Sequence, residues 1–188
     1  MAVGILALQG AFAEHAAVLD KLGVPPFEIR QKRDLDQPMN GLIIPGGEST
    51  VMNKLLRELD LYDTLREQIQ NGLPVFGTCA GLILLAKQID GGIPCFSVMD
   101  IRVKRNAYGR QLGSFHTVAE LKGVGEVPMT FIRAPYVAET GDGVEVLATV
   151  DGKIVGVQYK NQMAFAFHPE LDNDTRIHEK FAAMVRDK

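Results

Sequence analysis

A cysteine flanked by glycines near the middle of the chain has the spacing of a side-chain nucleophile. Residues 73–85 read LPVFGTCAGLILL, so an apolar strand ends at Gly77 and a helix follows Cys79 at once. Glycine-x-nucleophile-x-glycine between a strand and a helix is typical of a nucleophile elbow, where small neighbours let the two elements approach closely. The N-terminal end of the helix favours the thiolate, which is the reactive form. The alternative is a buried, inert cysteine in an ordinary turn.

A base for this cysteine is available near the C-terminus. Residues 163–171 read MAFAFHPEL, and an apolar strand runs up to His168. Proline holds the local chain extended, so His168 and Glu170 are expected to face the same side. Glu170 then orients the imidazole while the other ring nitrogen meets Cys79, which predicts a Cys–His–Glu triad. The other three histidines are interpreted as surface or packing residues: His15, His116 and His178.

A Pro-Gly-Gly turn follows another predicted strand, within the segment LIIPGGEST at 42–50. Gly47 can turn its N–H outward at little steric cost. It and Ala80, the residue after the nucleophile, are therefore predicted to donate hydrogen bonds to a developing oxyanion. The segment also fits a plain strand-to-helix turn in which Ser49 or Thr50 caps the helix. It is not a P-loop, because no Gly-Lys-Ser/Thr follows.

The elements that must position these residues alternate in the first half of the chain. Apolar runs predict strands over 3–8, 27–30, 41–44 and 73–76, and helical spacing predicts helices over 11–22, 51–59, 61–70 and 80–89. The second half has short β-branched runs, with an Asp-Gly hairpin over 144–159 and a last helix over 174–186. We predict one three-layer α/β domain over residues 1–188: a mainly parallel central sheet, helices on both faces and antiparallel β decoration in the second half.

Composition limits the classes of partner. The chain has 188 residues, 46% hydrophobic and 23% charged, and its net charge of −3 offers no basic excess for nucleic acid. No apolar run approaches the roughly 20 residues that cross a bilayer, and the N-terminus lacks the features of a signal peptide. We therefore expect a cytoplasmic protein with no nucleic-acid or membrane partner. Cysteine and histidine spacing predicts no metal site, and Cys95 is given no role.

Taken together, the motifs resemble the class I, triad-type glutamine amidotransferases. PGG after a strand, GTCAG at the elbow and FHPE near the C-terminus occur in the order and spacing of that family. Further segments resemble one branch of it, the glutaminase subunits of pyridoxal 5′-phosphate synthases: LQGAFAEH at 8–15, PGGEST at 45–50, RNAYGRQ at 105–111 and FIRAP at 131–135. The resemblance covers essentially the whole chain. It departs at His116, where the family often has an acidic residue, and this departure concerns a surface contact.

The resemblance implies a flavodoxin-like fold and a role for each site residue. Cys79 would be the nucleophile, His168 the base and Glu170 its orienting partner. Glutamine would be bound by six residues: Gly47, Glu48, Ser49, Arg105, Ile132 and Arg133. An arginine can pair with the substrate α-carboxylate and an acidic group with its α-ammonium. The alternative for the two arginines is a solvated side chain or a structural ion pair.

A reaction and a partner are implied as well. L-Glutamine would be hydrolysed to glutamate and ammonia without a metal or cofactor. The ammonia would pass to a synthase subunit, a (β/α)8 barrel, in a hetero-oligomeric complex that activates the glutaminase. Residues 9–15 are expected to face that partner. The alternatives are a glutaminase for a different synthase, a DJ-1-like cysteine-elbow hydrolase or chaperone, and a non-catalytic binding module.

Overall fold

The fold was obtained as a computed structural model that describes residues 1–105 and 113–187. Most of the RNAYGRQ segment thus lies outside the described residues. The first half contains strands β1 (Val3–Leu6), β2 (Pro26–Ile29), β3 (Gly41–Ile44) and β4 (Val75–Thr78) and helices α1 (Phe12–Lys21), α2 (Ser49–Glu58), α3 (Tyr62–Gln70) and α4 (Ala80–Leu85). The second half contains β5 (Ala86–Ile89), β6 (Met99–Lys104), β7 (Ser114–Leu121), β8 (Gly125–Ile132), β9 (Tyr136–Thr140), β10 (Glu145–Val150), β11 (Lys153–Tyr159), β12 (Gln162–Phe165) and α5 (Arg176–Arg186).

One large sheet joins both halves of the chain, in the order β2-β1-β3-β4-β12-β11-β9-β6-β5, with β10 beside β11. The run from β2 to β12 is parallel throughout. Its inner strands β1, β3, β4 and β12 are buried at every residue, which explains their continuous apolar sequences. Beyond β12 the pairings are antiparallel except between β5 and β6, and β7 and β8 form a separate hairpin. The predicted α/β class with antiparallel decoration is confirmed.

Helices cover both faces of the parallel strands, as neighbouring residues of β4 show. Phe76 packs its ring against His15 of α1 and against His178 of α5, with centroids 5.5 and 5.1 Å away. The next residue, Gly77, faces the opposite side because side chains alternate along a strand. A Cβ on Gly77 would lie 2.9 Å from the backbone of Gly81 in α4. Glycine therefore lets α4 pack directly on the sheet.

The helix predicted over 80–89 is wrong in its second half. Helix α4 ends at Leu85, and the following residues form β5, which pairs with β6. The N–H groups of Phe96 and Val98 donate to the carbonyls of Leu84 and Leu85 at 2.9 and 3.0 Å. These carbonyls therefore have hydrogen-bond partners without a continuation of the helix. Every residue of α4 is buried, and an apolar run of this kind has no periodicity that separates helix from strand.

In the parts of the chain that the structure describes, none of the helices has the length and apolar character to span a bilayer.

Candidate active site

Cys79 occupies the tight turn between β4 and α4. Its φ of 49° and ψ of −98° are strained for a residue with a side chain. The turn is held by the Cys79 N–H, which donates to the carbonyl of Phe165 at 2.8 Å. Gly81 allows α4 to approach the neighbouring strand, because a Cβ there would lie 2.1 Å from the Ile44 carbonyl oxygen. The turn thus has the strain and the close packing of a nucleophile elbow.

His168 and Glu170 come to the same edge of the sheet because β12 lies parallel to β4. His168 Nδ1 and Glu170 Oε1 are 2.7 Å apart and both side chains are buried. Cys79 lies close enough to His168 to affect the pKa of its imidazole, while the Cys79 thiol donates to the Ile132 carbonyl at 3.9 Å. Residues 169–171 form a short 3-10 helix. The extended conformation predicted for this segment is therefore wrong, and the turn of that helix brings the two side chains together.

The environment of His168 favours its protonated form. Burial alone would lower the pKa of this imidazole, but its interactions with Cys79 and with the Glu170 carboxylate, which accepts from Nδ1, raise it to about 10. His168 therefore carries a proton at neutral pH, and this proton is available to a leaving group beside Cys79.

A cavity of about 580 Å³ opens over the cysteine and the histidine. Eight of the predicted site residues line it: Gly47, Glu48, Ser49, Cys79, Arg105, Ile132, Arg133 and His168. Glu170 and Ala80 are not among the lining residues, since Glu170 lies behind the imidazole and the side chain of Ala80 is buried. Five further residues line the cavity without having been predicted: Gln9, Gly10, Ala11, Gly46 and Ile83.

The Pro-Gly-Gly turn is fastened to the segment that follows β1. The Gln9 side chain accepts a hydrogen bond from the Glu48 N–H at 2.7 Å, and the Ala11 N–H donates to the Gly46 carbonyl at 3.2 Å. Gly10, with φ of 90°, is required here, because a Cβ would lie 1.7 Å from the Gly46 carbonyl oxygen. Within the described residues the N–H of Gly47 has no acceptor.

Gly46 faces His168, and replacing it with alanine is expected to reduce the reactivity of Cys79 without unfolding the protein. A Cβ at this position would lie 2.3 Å from His168 Cε1, so the imidazole must move away from its position beside Cys79. A displacement on the order of 1 Å typically costs about 100-fold in rate. Two quantities are measured for Gly46→Ala: the rate constant of Cys79 alkylation and the thermal midpoint of unfolding. Gly113→Ala is the matched control, since nothing lies within 4 Å of a Cβ there.

Glu48 is the N-cap of α2, a role that the sequence assigned to Ser49 or Thr50. Its carboxylate accepts hydrogen bonds from the N–H groups of Thr50 and Val51 at 3.2 and 2.8 Å. Slight burial acts to raise the pKa of Glu48, but these bonds and the nearby charge of Arg105 lower it overall. The side chain is therefore a fixed negative charge at the mouth of the cavity.

The guanidinium of Arg105 is held by neutral groups. It donates to the Gly91 carbonyl at 3.0 Å and to Thr50 Oγ1 at 3.4 Å. In residues 1–105 and 113–187, neither Arg105 nor Arg133 has a carboxylate within 4.0 Å. The structural ion pair considered for them is thus not formed in this part of the chain. Two positive charges remain beside the cavity.

Two histidines that the sequence left outside the site lie directly behind it. His15 and His178 are fully buried, and His15 Nδ1 lies 2.9 Å from His178 Nε2. His15 Nε2 lies 3.2 Å from Thr78 Oγ1 and 3.5 Å from Glu170 Oε2. The expectation that His15 belongs to a partner-facing surface is therefore wrong, although Gly10, Ala13 and Glu14 of the same segment are exposed. His116 is exposed and lies 3.4 Å from Asp172 Oδ1.

Both buried histidines are neutral, which predicts acid sensitivity. Burial lowers the pKa of His178 to about 4. Burial is also the main cause that lowers the pKa of His15 well below 6.5, and repulsion from His178 and His168 in their protonated forms adds to it. Each contributes stability that is present above pH 6.5 and is lost as pH falls toward its folded-state pKa. We expect the unfolding free energy to fall between pH 6.5 and 5, and His178→Phe to reduce the slope by about 1.4 kcal/mol per pH unit. Urea titrations of the wild-type chain and of His178→Phe measure this slope, and equal slopes in the two proteins would contradict the prediction.

The second cysteine, unlike Cys79, does not line the cavity. Cys95 is buried, and this burial raises the pKa of its thiol to about 12. It therefore remains protonated at neutral pH, which suits a packing role. Neither cysteine forms a disulfide. Across the described ranges, no cluster of three or more His, Cys, Asp or Glu side chains is arranged to hold a metal ion.

Comparison with protein families gives a match over almost the whole chain. A family model described as the SNO glutamine amidotransferase family matches residues 5–187. A relative from Desulfitobacterium hafniense (strain Y51), described as pyridoxal 5′-phosphate synthase subunit PdxT, is 56% identical over 188 residues, or 100% of this chain and 94% of the relative. A relative with the same description from Streptococcus pneumoniae (strain ATCC 700669 / Spain 23F-1) is 57% identical over 192 aligned positions, covering 100% of both chains.

Solved structures agree with this match. A crystal structure described as a glutamine amidotransferase superposes with a TM-score of 0.93 at 44% identity and covers 98% of each chain. A putative GMP synthase protein from Thermoplasma acidophilum superposes with a TM-score of 0.71 at 17% identity, covering 100% of this chain and 94% of the other. At that identity the second likeness concerns the fold alone.

Proposed function

Since the chain belongs to the SNO glutamine amidotransferase family, we propose that it is the glutaminase subunit of a pyridoxal 5′-phosphate synthase. It hydrolyses L-glutamine to L-glutamate and ammonia and supplies the ammonia to a partner synthase subunit. The observation that carries the chemistry is the linked set of Cys79, His168 and Glu170 at the base of the cavity.

The first half of the reaction forms a thioester. The Cys79 thiolate attacks the side-chain amide carbon of glutamine, and the carbonyl oxygen becomes an oxyanion. The N–H groups of Ala80 and Gly47 hold that oxyanion, and neither N–H has an acceptor within residues 1–105 and 113–187. Protonated His168 gives its proton to the leaving nitrogen, so that ammonia departs and a glutamyl thioester remains.

The second half releases glutamate. His168, now neutral, takes a proton from water as the water attacks the thioester carbonyl. A second oxyanion forms in the same place and collapses to glutamate and the Cys79 thiolate. Glu170 holds Nδ1 of His168 throughout, which keeps the other ring nitrogen free to move protons. No step requires a metal or a cofactor.

Charges at the mouth of the cavity suit the two ends of an amino acid. Arg105 and Arg133 are positive and lack carboxylate partners in the described parts of the chain, so either can pair with the α-carboxylate. Glu48 offers a fixed negative charge to the α-ammonium, and its capping bonds hold it in place. Ser49 and the backbone at Ile132 complete the binding surface beside Cys79.

The ammonia leaves for another polypeptide. Both relatives are described as subunits of a synthase, which supports a complex with a synthase subunit. We propose that this partner is a (β/α)8 barrel in a hetero-oligomer, that it contacts the exposed part of residues 9–14 beside the cavity, and that its binding activates the glutaminase. We also place the complex in the cytoplasm, where the thiols of Cys79 and Cys95 stay reduced.

Glutamate release measured with and without the synthase subunit tests this proposal. Hydrolysis that depends on glutamine and rises when the synthase is added is the expected result. A glutaminase for a different synthase would release glutamate without responding to this partner. A DJ-1-like hydrolase or a binding module would show no turnover of glutamine in either condition, and either outcome would reject the function proposed here.

A further inference from the structure

The triad continues into the protein interior as a chain of hydrogen-bonding side chains. Glu170 bonds His168 through Oε1, while its second oxygen, Oε2, accepts no well-aligned hydrogen bond within the described residues. His15 Nε2 lies 3.5 Å from that second oxygen, and His15 Nδ1 lies 2.9 Å from His178 Nε2. All of these side chains except part of the His168 ring are removed from solvent.

The protons on the two inner histidines have one consistent arrangement. An N–H on His15 Nε2 donates to Thr78 Oγ1 at 3.2 Å, and its positive end lies beside Glu170 Oε2, which is 3.5 Å from the same nitrogen. His15 Nδ1 is then an acceptor for the Nε2–H of His178. The reverse arrangement would place a lone pair of His15 against the carboxylate. It would also bury an N–H on His178 Nδ1, an atom without a partner in the described residues, and a buried unsatisfied donor is costly.

We propose that His15 is a positioning residue for the glutaminase reaction: its Nε2–H, held by Thr78 Oγ1, attracts the second carboxylate oxygen of Glu170 from 3.5 Å and thereby fixes the ring of His168 beside Cys79. His178 supports this arrangement by donating to His15 and so fixing its tautomer. The inference rests on the proposed glutaminase function for its effect on turnover. Its effect on Cys79 itself is independent of any substrate.

The contact matters because a carboxylate held by one oxygen alone can rotate. Glu170 sits on a three-residue 3-10 helix, and Thr78 comes from β4, next to Cys79. His15 touches both, so it ties the element that carries the base to the element that carries the nucleophile. The ionisable groups that meet here are Cys79, His168, Glu170, His15 and His178, and the last two are neutral at pH 7.

The test compares two substitutions of His15. His15→Phe preserves a ring but removes the N–H, whereas His15→Gln retains a donor near the position of Nε2. We measure kcat and KM for glutamine with the synthase present, and separately the pH dependence of Cys79 alkylation by iodoacetamide, located by mass spectrometry. His15→Phe should lower kcat about tenfold and leave KM within about twofold of the wild-type value. The tenfold figure is about the lower end of the loss that follows removal of a group that orients a metal-bound histidine. Alkylation near pH 7 should also slow, because a loosely held Glu170 stabilises the His168 cation less. His15→Gln should recover most of both rates.

Two further variants distinguish a positioning role of His15 from a general loss of stability. Leu19→Ala removes fully buried packing from the same helix and should lower the thermal midpoint while leaving kcat and the alkylation profile unchanged. In a Glu170→Gln background, the kcat loss caused by His15→Phe should disappear, because coupled residues are not additive. An equal loss in both backgrounds, or a folded His15→Phe protein with wild-type kcat and alkylation, would overturn the proposal.

Failure of the glutaminase proposal and failure of the positioning role of His15 give different results. If the wild-type chain hydrolyses no glutamine but His15→Phe slows Cys79 alkylation, the glutaminase proposal fails and the positioning of the triad stands. If His15→Phe does not fold, His178→Phe replaces it, since this variant removes the donor that fixes the His15 tautomer. It should slow kcat and alkylation in the same direction, and wild-type values for both would contradict the role of His15.

Discussion

Replacing Cys79 with alanine is expected to abolish glutamine hydrolysis, since the atom that forms the thioester is removed. In hydrolases with a comparable triad, loss of the nucleophile costs about six orders of magnitude in turnover, which places the variant below detection. Glutamate release with the synthase present measures the effect, and calorimetric titration with glutamine shows whether the cavity still binds substrate. We expect binding to persist, because the charged groups at the mouth of the cavity are unchanged.

Cys95→Ala is the matched control for this experiment. Its thiol is buried and protonated, so its removal should lower stability and leave kcat close to that of the wild-type chain. A glutamine-analogue electrophile should label the wild-type protein at Cys79 and not at Cys95. Measurable turnover in Cys79→Ala, or labelling confined to Cys95, would contradict the thioester mechanism.

Glu170→Gln is expected to give the second largest loss, about three to four orders of magnitude in kcat, as when the orienting carboxylate of a serine-protease triad becomes an amide. If the amide nitrogen faces His168, the ring must accept at Nδ1 and carry its proton on the nitrogen that meets Cys79. The loss of the carboxylate charge also removes part of what raises the pKa of His168 to about 10. The pH profile of Cys79 alkylation should therefore shift together with kcat.

Glu67→Gln provides the comparison for that variant, because Glu67 is exposed on α3 and lies outside both the cavity lining and the proposed partner surface. It should retain the kcat and the alkylation profile of the wild-type protein. A Glu170→Gln variant within about threefold of wild-type kcat would show that His168 needs no carboxylate partner, and the triad would then be reduced to a Cys–His pair.

The parts of the fold that sequence predicted depend on local patterns. The strand over 41–44 has the same bounds in the structure, because a short, wholly apolar run between turn residues is typical of a strand buried on both faces. The elbow at Cys79 is equally local: the two glycines, the strand before them and the helix after them lie within a few residues. Patterns of this kind require no knowledge of distant contacts.

The errors arose where a distant segment decides the local structure. Helix α4 stops at Leu85 because Phe96 and Val98 take its last carbonyls and β6 pairs with the residues that follow. Gln9 was not predicted as a site residue, since only the folded chain places its side chain against Glu48 N–H. Neither of these long-range contacts produces a periodic pattern in the sequence.

By itself, the sequence determined the α/β class and the tight turn at Cys79, and it predicted the chemical types of the three residues of the proposed triad, because backbone propensity and side-chain chemistry act over short stretches. The tertiary structure alone decided which histidines stand together. His15 and His178 are 163 residues apart and looked like surface or packing residues, yet α1 and α5 pack on the same face of the sheet and bury both beside Glu170. A buried polar network exists only when long-range packing removes water from all its members at once, and no single segment encodes that condition.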